Sequence, residues 1–583
     1  RSLLWWMRHA ISLRKQYQAF GRGSLTFFKP ANPKILAFTR EYNNERLLIV
    51  ANLSRFAQST EIDLSRFAGF TPVECFGQNR FPPITKTPHP MTLGPYAFYW
   101  FSLEADSLEI ESRAAQAEST PPDLITRKSW EHIVRDSGKK LQPLLPDYLR
   151  TRRWFGGKAR KLESVNIVED VRINGRTTIV HLLFLQVEYD DSTRETYCLP
   201  LTYASGEQAS DVRQTNPRAV LASLRVDDEE GILYDALWDK GFQKELLRSV
   251  TQRRRFRGMR GSLLALTTSV LESLLPVDEE SFTPRVIQAE QSNTSVVYGD
   301  RLILKLFRKI EPGVNPDLEV GRFLTEKARF QHIPPVAAAL EYRGEAREPA
   351  TLAIMHRFIE NQGDAWKYTL DYLDRYFERA VAKFSETGKS PPLPGRLLDF
   401  LHEEPPLLAK ELFGLYMQQS RLLGQRSGEL HLALASDTTE PAFAPEPFTN
   451  FYQQSQYQSM RSLLTRVFRS LRTRIADVPE KYQTELRRVL DLEPEIISRF
   501  RPIRDKELKS QRIRTHGDFH LGQVLYTGKD FMIMDFEGEP ARSLSERRAK
   551  TSAIRDVVGM VRSFHYASYA SMFEQEEGSD PLD

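Results

Sequence analysis

Cysteine is almost missing from this chain: 583 residues carry two, Cys75 and Cys198. So few thiols exclude a disulfide framework and fit a reducing, cytoplasmic setting. No stretch approaches the run of about eighteen apolar residues that a membrane helix needs, and no signal-peptide pattern is visible, so no membrane partner is expected. Neither sign of charge dominates. Eighty-one basic against 77 acidic residues leave +4, too little to call for nucleic acid over the whole surface. The one dense basic cluster, Arg253-Arg254-Arg255-Phe256-Arg257 with Arg260, is expected to be a solvated loop or a phosphate-facing patch. No internal repeat is seen, and no HExxH zinc string. The length predicts several domains, and 40% hydrophobic residues suffice for ordinary cores.

What is present is concentrated near the C-terminal end. His516-Gly517-Asp518-Phe519-His520-Leu521-Gly522-Gln523 is followed by Met534-Asp535-Phe536-Glu537. The order is a carboxylate on a loop, an amide five residues on, and a second carboxylate closing an apolar strand. Phosphoryl transfer needs a group that orients the attacking hydroxyl and oxygen ligands for magnesium. Asp518 suits the first task; Gln523 and Asp535 suit the second. Residues 523–526 and 531–534 should be short strands around a turn at 527–530, bringing Asp535 back beside Asp518. Two bland alternatives stand beside this reading: a hydrogen-bonded structural loop, and a zinc site through His516 and His520.

A kinase of this kind also needs an upstream lobe with a strand lysine, an acidic partner and a phosphate loop. Lys305 sits within an apolar strand at 302–307, where a lysine needs a reason; snorkelling from an edge strand is the alternative. Asn315-Pro316-Asp317-Leu318-Glu319 has the form of a helix start. Glu319 is the expected partner of Lys305, with Glu326 as second choice. Ser292, Asn293 and Thr294 would hold phosphate through backbone N–H groups and side chains, although the loop lacks glycines. Residues 352–358 should run into an interlobe hinge. Glu537 could bind a second metal or cap the next segment. Asp364 and Trp366, in Gly363-Asp364-Ala365-Trp366, either face a sugar or form a helix N-terminus with a buried ring. Helical patterns follow at 412–432 and 452–471, and His431 is more simply a core or surface residue than a cleft residue.

These segments resemble the maltokinases, small-molecule kinases of the aminoglycoside-phosphotransferase-like and eukaryotic-kinase-like fold. The resemblance rests on HGDFHLGQVL (516–525), DFEGEP (535–540), LKLFRKIEPGVNPDLEVGRFL (304–324), GDAW (363–366) and LPDYLRTRRWFGGKAR (145–160), and covers about residues 122–583. It implies ATP and Mg²⁺ as cofactors and phosphorylation of maltose at its anomeric hydroxyl, giving maltose 1-phosphate for α-glucan synthesis. It also implies Asp518 as catalytic base, Gln523 and Asp535 as metal ligands, and Lys305 with Glu319 on the phosphates. His516 is carried along as a possible substrate or second-metal residue. A different small-molecule kinase on the same fold, and a non-catalytic assembly or glycan-binding module, are the competing classes.

The first hundred residues have another texture. An amphipathic helix over 1–20 is followed by strands at 35–40, 47–53 and 95–101, with a turn at Asn43-Asn44, as in a β-sandwich. RHAISLRKQYQAFGRGSL (8–25) and LGPYAFYWFSL (93–103) resemble the last barrel helix and C-terminal β-domain of α-amylase-family enzymes, trehalose synthases in particular. The resemblance implies a trehalose synthase barrel covalently fused ahead of residue 1, a chain cut at both ends, and trehalose synthase activity only in the intact fusion. A homo-oligomer is compatible with everything above. The expected division is therefore 1–20 barrel helix, 21–105 β-sandwich, 106–122 linker, 123–210 cap domain, 211–360 kinase N-lobe with an intermediate region, and 361–583 C-lobe: a multidomain chain, all-β then α+β bilobal.

Overall fold

A computed structural model describes residues 19–30, 32–42, 45–54, 58–68, 70–75, 84, 89–93, 98–105, 122–135, 140–158, 160–275, 282–287, 293–344, 348–387, 403–540 and 542–578, with Arg14 and Tyr17. The helix expected over 1–20 falls mostly outside them, as do the Asn43-Asn44 turn, nearly all of the linker, and Ser292.

The N-terminal unit is a β-sandwich. Five antiparallel strands run in the order Ser24–Phe27, Ile35–Tyr42, Glu45–Asn52, Phe98–Ala105, Phe70–Glu74; Gln58–Ile62 pairs with His89–Leu93 in a second layer. Leu48, Val50 and Phe101 from the first layer meet Ile62, Met91 and Leu93 from the second in one core, as two facing half-apolar sheets require.

Two seven-stranded sheets follow. The first includes Leu162–Asn174, Ile179–Tyr189, Arg194–Ser205, Val220–Val226 and Glu229–Asp235. Ile179–Tyr189 is buried nearly throughout because alternate residues enter different cores. Leu183, Leu185 and Val187 pack with Leu145 and Leu149 of helix Leu145–Arg150 and with Phe155 in the loop beyond it. Val180, Leu182 and Phe184 pack with Val296, Leu304 and Leu340 of the next sheet. A strand covered on both faces shows a continuous apolar run rather than alternation. This sheet extends to Asp235, so the boundary expected at 210 cuts through it: Glu229–Asp235 pairs directly with Arg194–Ser205.

The second sheet is the kinase-like N-lobe, ordered Arg255–Arg257, Ser262–Thr267, Val336–Arg343, Ala350–Arg357, Leu302–Phe307, Asn293–Tyr298, Pro284–Ile287. Arg255–Arg257 of the basic cluster is thus an edge strand. Helix Pro316–Arg322 starts where expected, with the Asn315 side chain accepting from the N–H groups of Asp317 and Leu318.

The C-lobe is mainly helical: Ala365–Thr387, Leu407–Phe413, Leu415–Leu434, Asn450–Thr473 and Ile554–Gly578 are its longest described elements together with Glu480–Asp491 and Glu493–Asp505. The helix expected over 412–432 is two helices, because Gly414 adopts φ 48 and breaks the helical path. Strands Val524–Tyr526 and Phe531–Ile533 form the expected hairpin. Its inward residues Val524 and Ile533 join Phe519, Leu521, Leu430 and Ala567 in the lobe's core. Among the described residues, no helix is long and apolar enough to cross a membrane.

Candidate active site

Lys305 anchors the cleft between the lobes. It lies on Leu302–Phe307 with burial alternating along the strand, and its ammonium is 2.6 Å from Asp535, 2.5 Å from Glu537 and 3.7 Å from Asp317. Burial alone would push the lysine pKa down; the three carboxylates override it and hold the group well above its usual value. Burial likewise disfavours charge on Asp535, but Lys305 keeps that carboxyl below its ordinary range. Glu537 goes the other way: burial, then its neighbours Asp535 and Asp317, raise it despite Lys305. Snorkelling therefore does not describe Lys305.

Asp317, Asp535 and Glu537 each offer an oxygen within a 4.8 Å cluster. Three carboxylates around one ammonium leave an excess of negative charge in a protected place. Hard oxygen donors with that excess suit Mg²⁺, so the residues present fit the metal. Gln523 joins this cluster through a side-chain hydrogen bond to Asp535. Asp535 sits at φ 66, a left-handed conformation that costs about 1 kcal/mol or more in a non-glycine residue and is held here by the surrounding bonds.

The loop carrying Asp518 is fixed against the loop carrying Asp535. His516 Nε2 lies 2.9 Å from the carbonyl oxygen of Met534, and its ring packs between Phe519 and Phe536. His516 is almost fully buried, so it packs as a pillar beneath the site, and among the described residues it joins no group of three or more metal-ligating side chains. Gly517 and Gly538, at φ 85 and 73, bring the loops so close that a Cβ on Gly517 would stand 3.3 Å from the Gly538 Cα. From beneath, Asp556 at the start of helix Ile554–Gly578 accepts the N–H of His516 at 2.9 Å and of Gly517 at 3.0 Å. His431 Nε2 donates to the same carboxylate at 3.0 Å. Asp556 had no motif to announce it; the pairing of His431 with an acid 125 residues away exists only in three dimensions.

Asp518 itself is half-exposed, 4.0 Å from His520 Nε2, and opens on a cavity of about 830 Å³. Trp366, Tyr566 and Tyr569 supply aromatic walls to it, and Glu539, Arg555 and Arg562 polar ones. Asp364 does not face this space: its carboxylate caps helix Ala365–Thr387 by accepting the Lys367 N–H at 2.8 Å. The two readings of the 363–366 segment are thus divided between its residues, with the cap at Asp364 and the cavity wall at Trp366. A second cavity, about 430 Å³, runs from Lys305 and Asp535 towards the crossover at 356–361. Its far walls are apolar: Ile287 and Ile303 from one lobe, Leu525 and Met534 from the other.

Two expected phosphate-site residues are placed elsewhere. Glu319 is not the partner of Lys305. It accepts from Arg514 at 2.9 Å and from Arg548 at 2.6 and 3.0 Å, while Asp317 faces the lysine. Two residues along a helix turn the side chain by about 200°, so only one of the pair can look into the cleft. Glu326 is engaged with Arg322. Thr294 accepts from Arg308 Nε at 2.9 Å and points into the core, because successive strand residues face opposite ways; Asn293 and Ser295 line the cavity instead. Asn293 donates to Glu537 at 3.4 Å.

Glu319 therefore has a structural job. Arg514 is almost fully buried, and Glu319→Ala would leave it as an unpaired interior charge. The expected loss is about 3 kcal/mol of unfolding free energy, read by urea denaturation. Nucleotide affinity of the folded variant should be unchanged, whereas Asp317→Ala should lower it.

A kinase-like N-lobe stacked on a helical lobe, with a lysine–carboxylate cluster between them, defines a bilobal kinase-like unit, and an amylase-type β-sandwich precedes it. Comparison with known proteins agrees with both halves. Residues 25–100 match the model of the maltogenic amylase C-terminal domain, and residues 148–239 that of the maltokinase N-terminal cap domain. Trehalose synthase of Thermus thermophilus is 30% identical over 260 residues, 42% of this chain and 25% of that protein. A glucosamine kinase of Streptacidiphilus jiangxiensis is 23% identical over 295 residues, 50% of this chain and 56% of that protein. A solved glucosamine kinase in complex with glucosamine, ADP and inorganic phosphate is 17% identical, with TM-score 0.45 over 73% of this chain and 80% of that one. The chain thus spans a quarter of the length of the trehalose synthase it matches. The two domain matches and the two curated relatives together fit a trehalose synthase–maltokinase fusion.

Proposed function

We propose that this chain is an ATP-dependent sugar kinase of the maltokinase type, transferring the γ-phosphoryl group to the anomeric hydroxyl of maltose. The observation that carries the reading is the cluster of Lys305, Asp317, Asp535 and Glu537 in the interlobe cleft, tied through His516 and Met534 to the loop of Asp518. Phosphoryl transfer depends almost wholly on positioning and charge stabilisation, and both are built in here.

In this reading the 430 Å³ cavity holds the nucleotide, its base between the apolar walls and its phosphates at Lys305. Lys305 steadies the α- and β-phosphates as a point charge. Asp317, Asp535 and Glu537 would hold Mg²⁺, with Gln523 supporting Asp535; bound there, the metal supplies neutralisation of the phosphate charge. Asp518, in the neighbouring cavity, takes the proton of the sugar hydroxyl and aligns its oxygen with the phosphorus. Trp366, Tyr566 and Tyr569 offer flat apolar faces for the C–H faces of sugar rings, and Glu539 and Arg562 offer hydrogen bonds to hydroxyls. The fused trehalose synthase barrel would act in the intact protein, in the cytoplasm, and the sugar phosphate would feed α-glucan synthesis. A glucosamine acceptor is the second reading, favoured by the glucosamine kinase relative.

The test is ADP release with Mg·ATP and a panel of maltose, glucose, glucosamine and trehalose, with phosphate position read by ³¹P NMR. Turnover is expected on maltose, with phosphate at C1. Turnover on glucosamine alone would move the acceptor; none on any sugar would end the kinase reading.

A further inference from the structure

His356 is a polar group of the nucleotide cavity that the reaction does not use. His356 closes strand Ala350–Arg357, opposite Ile303 in the register that pairs Lys305 with Ile354. It therefore lies on the cavity side of the sheet, about 7 Å along the strand from the residue beside Lys305. Its Nδ1 is 3.2 Å from the carbonyl oxygen of Pro334. A carbonyl can only accept, so Nδ1 carries the hydrogen and Nε2 is a bare acceptor. Among the described residues Nε2 has no hydrogen-bond partner, and it is not among the atoms sealed from solvent; the ring lines the cavity.

The other polar side chains at that end are spoken for. Asn361 donates to Ile359 O at 2.8 Å and accepts the Gly363 N–H at 3.0 Å, and Arg357 is exposed to solvent. The apolar walls Ile287, Ile303, Leu525 and Met534 suit a flat heterocycle without telling one purine from another. A side-chain acceptor at the ring edge can do that.

We propose that His356 is a specificity residue for the nucleotide base: its Nε2 accepts from an exocyclic 6-amino group, so the site takes an adenine nucleotide and rejects 6-oxo purines. A 6-oxo group would set lone pair against lone pair, and Nε2 would lose its partner in a place with little water. The inference rests on the phosphotransferase reading above but is independent of the sugar.

The experiment is calorimetric binding of Mg·ATP, Mg·GTP and Mg·ITP to the full chain without acceptor. ITP differs from ATP at the position-6 edge alone, with the 6-oxo group and the N1 hydrogen that accompanies it. The unaltered protein should bind ATP about tenfold tighter than ITP. His356→Leu should bring ATP and ITP to one shared affinity, below that of ATP and no lower than that of ITP in the unaltered protein; the retained ITP binding also shows that the variant is folded. His356→Gln, whose amide can present either its oxygen or its NH₂, should keep ATP affinity and improve ITP. Equal binding of ATP and ITP by the unaltered protein, or an unchanged ATP:ITP ratio in His356→Leu, overturns the assignment to His356 while leaving the kinase reading intact. No binding of any triphosphate overturns both.

Discussion

Asp518→Asn is expected to slow phosphoryl transfer by about three orders of magnitude, the middle of the range for a positioned general base, with Mg·ATP affinity unchanged. The separation follows from the geometry. Asp518 opens on the cavity walled by Trp366 and Tyr566, whereas Lys305 and Asp535 belong to the other one. Asparagine preserves size and the loop's surroundings. The scaffold beneath does not involve the Asp518 side chain: Asp556 holds the backbone of His516 and Gly517, and Met534 receives the His516 ring. Turnover is measured by coupled ADP release at saturating acceptor, and affinity by calorimetry. A variant that keeps turnover within about tenfold would remove Asp518 from proton transfer and leave positioning as the whole of the catalysis.

Asp518 and Asp535 were legible in the sequence because each sits in a short segment whose neighbours declare it: a loop between apolar strands, then a strand end. The same holds for Lys305, an isolated charge within the apolar strand Leu302–Phe307, and for the hairpin between Gln523 and Met534. The misreadings come from phase. Asp317 and Glu319 are both acids in one helical turn, and the residue string does not say which way the helix is rotated against the sheet. Ser292, Asn293 and Thr294 were all expected on the phosphates, but strand residues alternate, so Asn293 lines the cavity and Thr294 turns to Arg308. His516 has the chemistry of a ligand and the burial of a core residue, which only the packing of Phe519 and Phe536 reveals. Asp556 and His431 meet from distant helices, so neither carries a local signal. The cap boundary was misplaced for a related reason. Past residue 210 the chain returns as Val220–Val226 and Glu229–Asp235 to extend the same sheet, a pairing that no local segment announces.

The carboxylate cluster of Asp317, Asp535 and Glu537 allows the second large effect to be separated from folding. Asp535→Asn should weaken Mg·ATP binding by more than about a hundredfold, since even residues one step removed from a metal cost up to that much when replaced. Binding of ATP in the presence of chelator should change far less. Asparagine is the informative choice because it tolerates the left-handed backbone that Asp535 adopts at φ 66, where alanine would add strain of its own. The fold should survive: Lys305 keeps Glu537 at 2.5 Å and Asp317 at 3.7 Å, and the carboxylates that now crowd one ammonium lose one of their number. Glu537, whose pKa is raised by burial and then by Asp535 and Asp317, becomes easier to ionise. In chelator the variant should therefore melt no lower than the unaltered protein, and only the unaltered protein should gain stability when Mg·ATP is added, because a ligand stabilises the state that binds it. A variant that gains as much stability from Mg·ATP as the unaltered protein would place the metal elsewhere. One that melts far lower in chelator would make Asp535 a structural partner of Lys305 first and a metal ligand second.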